Sequence, residues 1–506
     1  MTAKAPNILI VMADQMAPAS LPIYGHPLVR APNMLKLARS GVVFDSAYCA
    51  SPLCTPSRAS LMSGLLPSRT QVYDNAAEFA ADIPTFAHCL RARGYRTILS
   101  GKMHFCGPDQ LHGFEERLTT DIYPADFNWT PDWDRPEHRP SWYHNMSSVR
   151  DAGLCVRSNQ LDFDDETAFT AERAIFDIAR SRDDRPFLLL ASFAHPHDPF
   201  AVPERYWNLY RDEDIDMPAP GVALDPHSRR LRHVCAMDAE PVTEDQVRAA
   251  RHAYYGAIAY IDDQLGRLME ALRSAGLAED TIVVLTSDHG DMLGERGLWY
   301  KMSFFEGACR VPLVIASPGR FEPRRVASTV SLVDLMPTLI ELSGGSVQSL
   351  GIGLDGRSLA PHLGGAAGHD EAIGEYLAEG AIAPIVMIRR GPYKFIHSPA
   401  DPDLMFDLAH DPGERDNLAD NPASAALVAG FRAEVGKRWD LAELDARVRL
   451  SQRRRRVVDA ALSKGKIHAW DFQPFRDAAR QYMRNAMDLD DLEAMARFPP
   501  VGRASN

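Results

Sequence analysis

Asn7-Ile8-Leu9-Ile10-Val11-Met12-Ala13-Asp14-Gln15 is an apolar run that stops abruptly on an acid and an amide. It lacks polar alternation and so has no solvent face. It predicts a strand buried on both sides of a parallel sheet, with Asp14 and Gln15 at its carboxyl end. The pattern recurs. Thr281-Ile282-Val283-Val284-Leu285-Thr286-Ser287 ends at Asp288-His289-Gly290-Asp291, and Phe187-Leu188-Leu189-Leu190-Ala191-Ser192-Phe193 leads into Ala194-His195-Pro196-His197-Asp198. Thr97-Ile98-Leu99-Ser100 precedes Gly101-Lys102-Met103-His104, and Val311-Pro312-Leu313-Val314-Ile315-Ala316 follows Lys301. Ligands of open α/β sheets bind beyond the carboxyl ends of the strands, so these polar clusters are expected to converge on one rim.

Helical patterns separate the runs, among them Ile83 to Gly94 and Thr243 to Gly276, which predicts an α/β core with helices on both faces. We expect this catalytic α/β unit over residues 1–375. Ile385 to Arg389, Tyr393 to Ile396 and Met405 to Leu408 read as short strands of a small antiparallel subdomain over 376–440, closed by Asp411 to Leu418. Residues 441–506 read as an Arg-rich helical tail. Its basic cluster, Arg453 to Arg456 with Arg447 and Arg449, reads as a solvated or subunit-facing helix. At 506 residues, 45% hydrophobic and a formal charge of −13, the chain is long enough for a large core and too acidic for a nucleic-acid surface. No run approaches the ~20 apolar residues that cross a bilayer. Seven scattered cysteines suggest neither a disulfide framework nor a zinc site, and Met1 to Pro6 leaves no room for a leader, so a cytoplasmic location is expected.

Cys54-Thr55-Pro56-Ser57-Arg58 is the most specific motif. Thr55 can cap a helix and Pro56 suits its first turn, which would stand residue 54 at a helix N-terminus, where backbone N–H groups favour a developing anion. Taken alone, the motif also fits a buried structural thiol beside an ordinary helix start. Asp14 and Asp288 are hard ligands that suit calcium or a similar divalent ion better than zinc, with Gln15 and His289 completing the candidate set.

The Cys-x-Pro-x-Arg signature, together with the strand-end clusters and Asp411 to Leu418, resembles the type I sulfatase family. The resemblance implies an alkaline-phosphatase-like fold and oxidation of Cys54 to formylglycine by a maturation enzyme. It also implies a gem-diol nucleophile and a divalent metal, calcium before Mn2+ or Mg2+, held by Asp14, Gln15, residue 54, Asp288 and His289. Family members commonly carry an acid where Gln15 stands and an Asn where His289 stands, so this site has one negative charge fewer. By the same resemblance Asp288 activates the nucleophile, Arg58 and Lys102 hold it with the sulfuryl oxygens, His197 and Lys301 assist the leaving oxygen, and His104 releases sulfate. His195 reads as structural. Tyr73 to Glu78, Gly107 to Arg117, Asp121 to Asp126, Trp142 to Asn145 and Tyr482 to Asn485 are similar to the choline sulfatase branch. That branch implies choline-O-sulfate as substrate, a pocket of Asn75, Trp129, His144, Asn145 and Glu379, and Asp490 delivered by a neighbouring subunit of a homotetramer built as a dimer of dimers. Aromatic faces and carboxylates are what a quaternary ammonium requires. An arylsulfatase, or a phosphonate monoester or phosphodiester hydrolase, is the alternative within the superfamily. A non-catalytic binder with Cys54 kept as a thiol is the alternative outside it.

Overall fold

The computed structural model describes residues 5–475, 477, 479, 482–484 and 487–499. The first run forms the strand Asn7–Asp14, buried at every residue. It lies inside an eight-stranded sheet ordered Arg324–Ser331, Gly41–Tyr48, Arg310–Ala316, Thr281–Ser287, Asn7–Asp14, Phe187–Pro196, Arg96–Gly101 and Glu116–Arg117. Ile10 stands opposite Leu190 on one side and Val284 on the other, both in parallel register, so Asp14, His197 and Asp288 emerge on one edge. Arg310–Ala316 is the reversed strand, antiparallel to both neighbours. Its amino end therefore lies at the rim, which lets Lys301, preceding it, reach the same place. Gly41–Tyr48 and Arg324–Ser331 escape the sequence reading, because Asp45 and Ser46, and Arg324, Arg325 and Thr329, interrupt their apolar character.

Pro32–Arg39, Asn159–Arg180 and Glu244–Ser274 form one group of helices, and Cys54–Ser63, Phe86–Ala92 and Leu335–Leu342 another; together they cover the sheet. Glu244–Ser274 begins at a capping box formed by Thr243 and Gln246 and stops before Gly276, at φ 73°.

The second sheet is antiparallel and has four strands, Glu371–Tyr376, Ile385–Arg390, Tyr393–Ser398 and Asp401–Asp407, one more than the sequence separates. Helix Ala425–Arg438 covers it with Val428, Phe431 and Val435. Asp411 to Leu418 does close it: Leu418 N–H donates to the Met405 carbonyl at 2.8 Å. Glu414 turns inward to the buried Lys394 (2.8 Å), which also pairs with Glu306 (2.6 Å) and fastens this sheet to the catalytic unit.

Beyond Asp440 the described residues form helices at Leu441–Leu462 and Leu489–Ala496 and a short turn at Tyr482–Arg484; Gly465 (φ 69°) follows the first helix, and 467–475 carry no regular structure. The basic cluster is solvated only in part: Arg453 and Arg454 are exposed, while its other side holds distant segments of this chain. Arg449 donates to the carbonyls of Trp133 (2.8 Å) and Ile382 (2.7 Å), Arg453 to Asp134 (2.6 Å), and Arg456 to the Pro131 carbonyl (2.9 Å). Arg455 is buried against Asp74. Ile382 lies 67 residues away and the other partners more than 300, which no local charge pattern reveals. Met1 to Lys4, Asn485 and Pro500 lie outside the described residues. No helix among the described residues is long and apolar enough to cross a membrane.

Candidate active site

Cys54 opens the Cys54–Ser63 helix and is 1% exposed. Thr55 is not its cap. Leu53 holds the N-cap position without a side-chain bond, and Thr55, already inside the helix, donates its hydroxyl to the His104 carbonyl at 3.2 Å. The cap comes from afar: Asn75 Oδ1 accepts the Thr55 N–H at 3.0 Å.

Four donors meet at residue 54. Asp14, Cys54, Asp288 and His289 are buried, and one ligand atom from each lies within 4.8 Å of the others. His289 Nδ1 is 3.0 Å from the Gly290 carbonyl, which can only accept. The proton therefore sits on Nδ1, and Nε2 turns a lone pair to Cys54 Sγ at 3.2 Å. Lys102 pairs with Asp14 and places Nζ 3.6 Å from Sγ. Arg58 binds Asp288 Oδ2 through Nε (2.7 Å) and the Lys102 carbonyl through Nη1 (2.6 Å), while its buried Nη2 makes no hydrogen bond among the described residues. Burial pushes the Asp14 carboxyl up, but Lys102 and Arg58 outweigh it and hold the group well below the usual range. Burial and Asp14 push the Cys54 thiol up to about 11, so as a thiol it is a poor nucleophile here. The donor set of two carboxylates and a directed imidazole lone pair fits a divalent cation, with residue 54 as fourth donor.

Gln15 belongs to an adjoining network. It adopts φ 65°, a strained turn at the strand end, with its N–H on Asp288 Oδ1 (3.1 Å). Its side-chain oxygen accepts from Lys301 Nζ at 2.8 Å and its amide donates to Asp291 at 2.6 Å, so both ends of the amide are engaged. Lys301 Nζ also lies 2.7 Å from His197 Nε2, and His197 Nδ1 is 2.8 Å from the Asp198 carbonyl. Because that carbonyl only accepts, Nδ1 carries the proton and Nε2 accepts from Lys301. Burial and Lys301 hold His197 well below the usual imidazole range. Burial lowers the Lys301 ammonium, but the charges of Cys54, Asp198 and Asp14 raise it by more. Burial pushes Asp291 up to about 7. The sequence reading does not single out Asp198, Asp291 or Tyr123 as site residues, although all three stand inside quoted segments. An acid next to a strand-end histidine was the available signal.

Gly101, at φ 99° with no room for a Cβ beside the Ser192 carbonyl, turns the chain so that Lys102 enters the site. His104 follows at φ 54°, its N–H fixed by Asp121 (2.8 Å); both buried ring nitrogens lack a hydrogen-bond partner among the described residues. Burial and Lys102 bring its pKa down to about 3, so the ring is neutral. Around it stand Tyr123 (5.1 Å between ring centroids) and Trp129 (5.7 Å), and Trp129 stacks on Trp142 at 6.2 Å. Tyr123 also covers Lys102 Nζ at 4.2 Å. His144 stacks on Tyr300 at 4.4 Å and faces Asp198 at 3.8 Å. Asn145 uses its side-chain oxygen on the Ser147 N–H (2.8 Å). Glu379 is buried, its Oε2 lacks a partner among the described residues, and burial with Asp74 nearby pushes it up to about 7. His195 is buried and paired with Asp164 at 2.7 Å. Asp490 is exposed, on the Leu489–Ala496 helix, beyond which Phe498 packs against Phe176 of the Asn159–Arg180 helix.

A family model described as sulfatase matches residues 6–345. The chain belongs to the sulfatase family. Further models, described as choline sulfatase enzyme C terminal and N-sulphoglucosamine sulphohydrolase C-terminal, match residues 446–498 and 294–439 of this sulfatase. It is 47% identical to the choline-sulfatase of Rhizobium meliloti over 99% of both chains. It is 29% identical to the multifunctional alkaline phosphatase superfamily protein PehA of Trinickia caryophylli, covering 87% of this chain and 96% of the relative. Among solved structures, the phosphonate monoester hydrolase of Agrobacterium radiobacter superposes with a TM-score of 0.68 at 28% identity, covering 88% of this sulfatase and 96% of that chain.

Proposed function

We propose that this sulfatase hydrolyses choline-O-sulfate to choline and inorganic sulfate, with Cys54 first oxidised to formylglycine by a maturation enzyme. One observation carries the reading: the buried cluster at residue 54 adjoins an aromatic wall of Tyr123, Trp129 and Trp142, the surface a quaternary ammonium prefers. The hydrated aldehyde supplies a nucleophile that regenerates itself by elimination, and a divalent ion, calcium before Mn2+ or Mg2+, supplies charge against the sulfuryl oxygens. Asp14, Asp288, His289 and residue 54 would hold that ion, joined by Gln15 where its amide oxygen is released from Lys301.

The chain's own groups divide the remaining work. Arg58, whose uncommitted Nη2 lies 3.7 Å from Asp14 Oδ2, and Lys102, whose Nζ lies 3.6 Å from Sγ of residue 54, orient the attacking oxygen, whose proton Asp288 takes. Lys301 carries the proton for the leaving oxygen, and His197, a neutral acceptor on Lys301 Nζ, aims it. His104, neutral and unengaged, is the base that frees sulfate. Trp129, Asn75, His144, Asn145 and Glu379 surround the trimethylammonium end. The 441–506 tail supplies Asp490 to a neighbouring subunit in a homotetramer, a dimer of dimers. Seven unpaired cysteines support a cytoplasmic location.

The test is kcat/KM for choline-O-sulfate, p-nitrophenyl sulfate, phosphocholine and a phosphonate monoester, on protein whose residue 54 has been checked by mass. A preference for choline-O-sulfate of about a hundredfold is expected. Equal or better turnover of the aryl or phosphonate ester would sink the choline assignment and favour the alternative hydrolase.

A further inference from the structure

Arg455 lies on the Leu441–Leu462 helix, yet its guanidinium is buried in the catalytic unit. It grips both oxygens of the fully buried Asp74 at 2.7 and 2.6 Å, and Nη1 also donates to Thr130 Oγ1 at 3.0 Å. Each acceptor sits one residue from a candidate pocket residue, Asp74 beside Asn75 and Thr130 beside Trp129. One turn earlier, Gln452 Oε1 accepts the Trp133 N–H at 2.9 Å, and the Trp133 indole donates to the Ala378 carbonyl at 2.9 Å, beside Glu379. Three separate segments of the pocket are thus tethered to one helix. A guanidinium fork bound to a carboxylate on two atoms fixes angle as well as distance, which a lone ammonium does not.

We infer that Arg455 is a positioning residue of the leaving-group pocket: by locking Asp74 to Thr130 it sets the spacing between Asn75 and Trp129, and so selects which ester is hydrolysed. The inference rests on the choline-O-sulfate reading only for the identity of the preferred ester. A residue that merely staples the helix would lower stability and affect all esters alike. A positioning residue shifts the ratio between them.

The experiment compares wild type, R455Q, R455K and T130V, matched for formylglycine content, on choline-O-sulfate and p-nitrophenyl sulfate. In R455Q the ratio of kcat/KM values is expected to fall about tenfold or more, mainly through KM for choline-O-sulfate, with R455K intermediate. T130V keeps the ion pair and removes the hydroxyl that accepts from Arg455 and donates to the Phe127 carbonyl (2.7 Å), and is expected to lower the ratio about threefold; it decides the matter if R455Q does not fold. A ratio that stays within about twofold of wild type, whatever happens to the melting temperature, overturns the inference. The choline reading fails separately, by the wild-type preference itself. Without that preference, a shifted ester profile in R455Q would still uphold the positioning role.

Discussion

The rim of the sheet and the wall of the pocket are built on different principles. Asp14, Lys102, His197 and Asp288 each stand at or just beyond the end of a strand whose register with its neighbours fixes where that end falls. Trp129, Asn75 and Glu379 stand on irregular segments held from outside by the C-terminal helix. The fold thus fixes the proposed reactive groups directly, whereas the residues proposed to face the alcohol are fixed by an addition outside the sheet. Chemistry common to a family and specificity private to a branch are separable when they rest on separate supports.

That contrast breaks most visibly at the rim. Cys54→Ala should lower kcat/KM for every ester by about 10⁴-fold or more, since no other group in the cluster can supply a regenerating nucleophile. Lys301→Ala should cost about 10²- to 10³-fold on choline-O-sulfate and distinctly less on p-nitrophenyl sulfate, whose leaving group needs little protonation, as paired kcat measurements would register. At the wall the effects shrink and become selective. Trp129→Ala should lose about 1–2 kcal/mol, or roughly 5- to 30-fold, on choline-O-sulfate alone; an equal loss on the aryl ester would erase the distinction drawn above. The smallest effect is a pH profile. Glu379, raised to about 7, attracts a cation only as the carboxylate, so kcat/KM for choline-O-sulfate should rise about tenfold from pH 6 to pH 8, relative to the aryl ester, and Glu379→Gln should flatten that relative profile.

Legibility follows the same line. The strand ends could be read because an apolar run stopping on Asp14 or Asp288 is a local pattern with one structural meaning. Edge strands such as Arg324–Ser331 could not, because a half-exposed strand carries the polar residues of a loop. Thr55 looked like a cap because Ser and Thr usually serve as one; the true partner, Asn75, belongs to a distant loop. The Arg447 to Arg456 cluster misled for the same reason: whether a charged side chain meets water or Asp74 is settled by tertiary packing. Gln15 marks a departure that sequence could name but not interpret. Only the geometry reveals that its amide bridges Lys301 and Asp291.

Cys54 is 1% exposed, and Arg455, which completes the wall beside it, is synthesised about 400 residues later. At roughly 5–20 residues per second, ribosomal synthesis separates the two by tens of seconds. On the maturation proposed above, an enzyme that oxidises Cys54 needs the thiol within reach, and the folded chain buries it. The interval between the emergence of Cys54 and the arrival of the C-terminal helix is therefore a window in time, and the yield of active protein should depend on how fast the ribosome closes it.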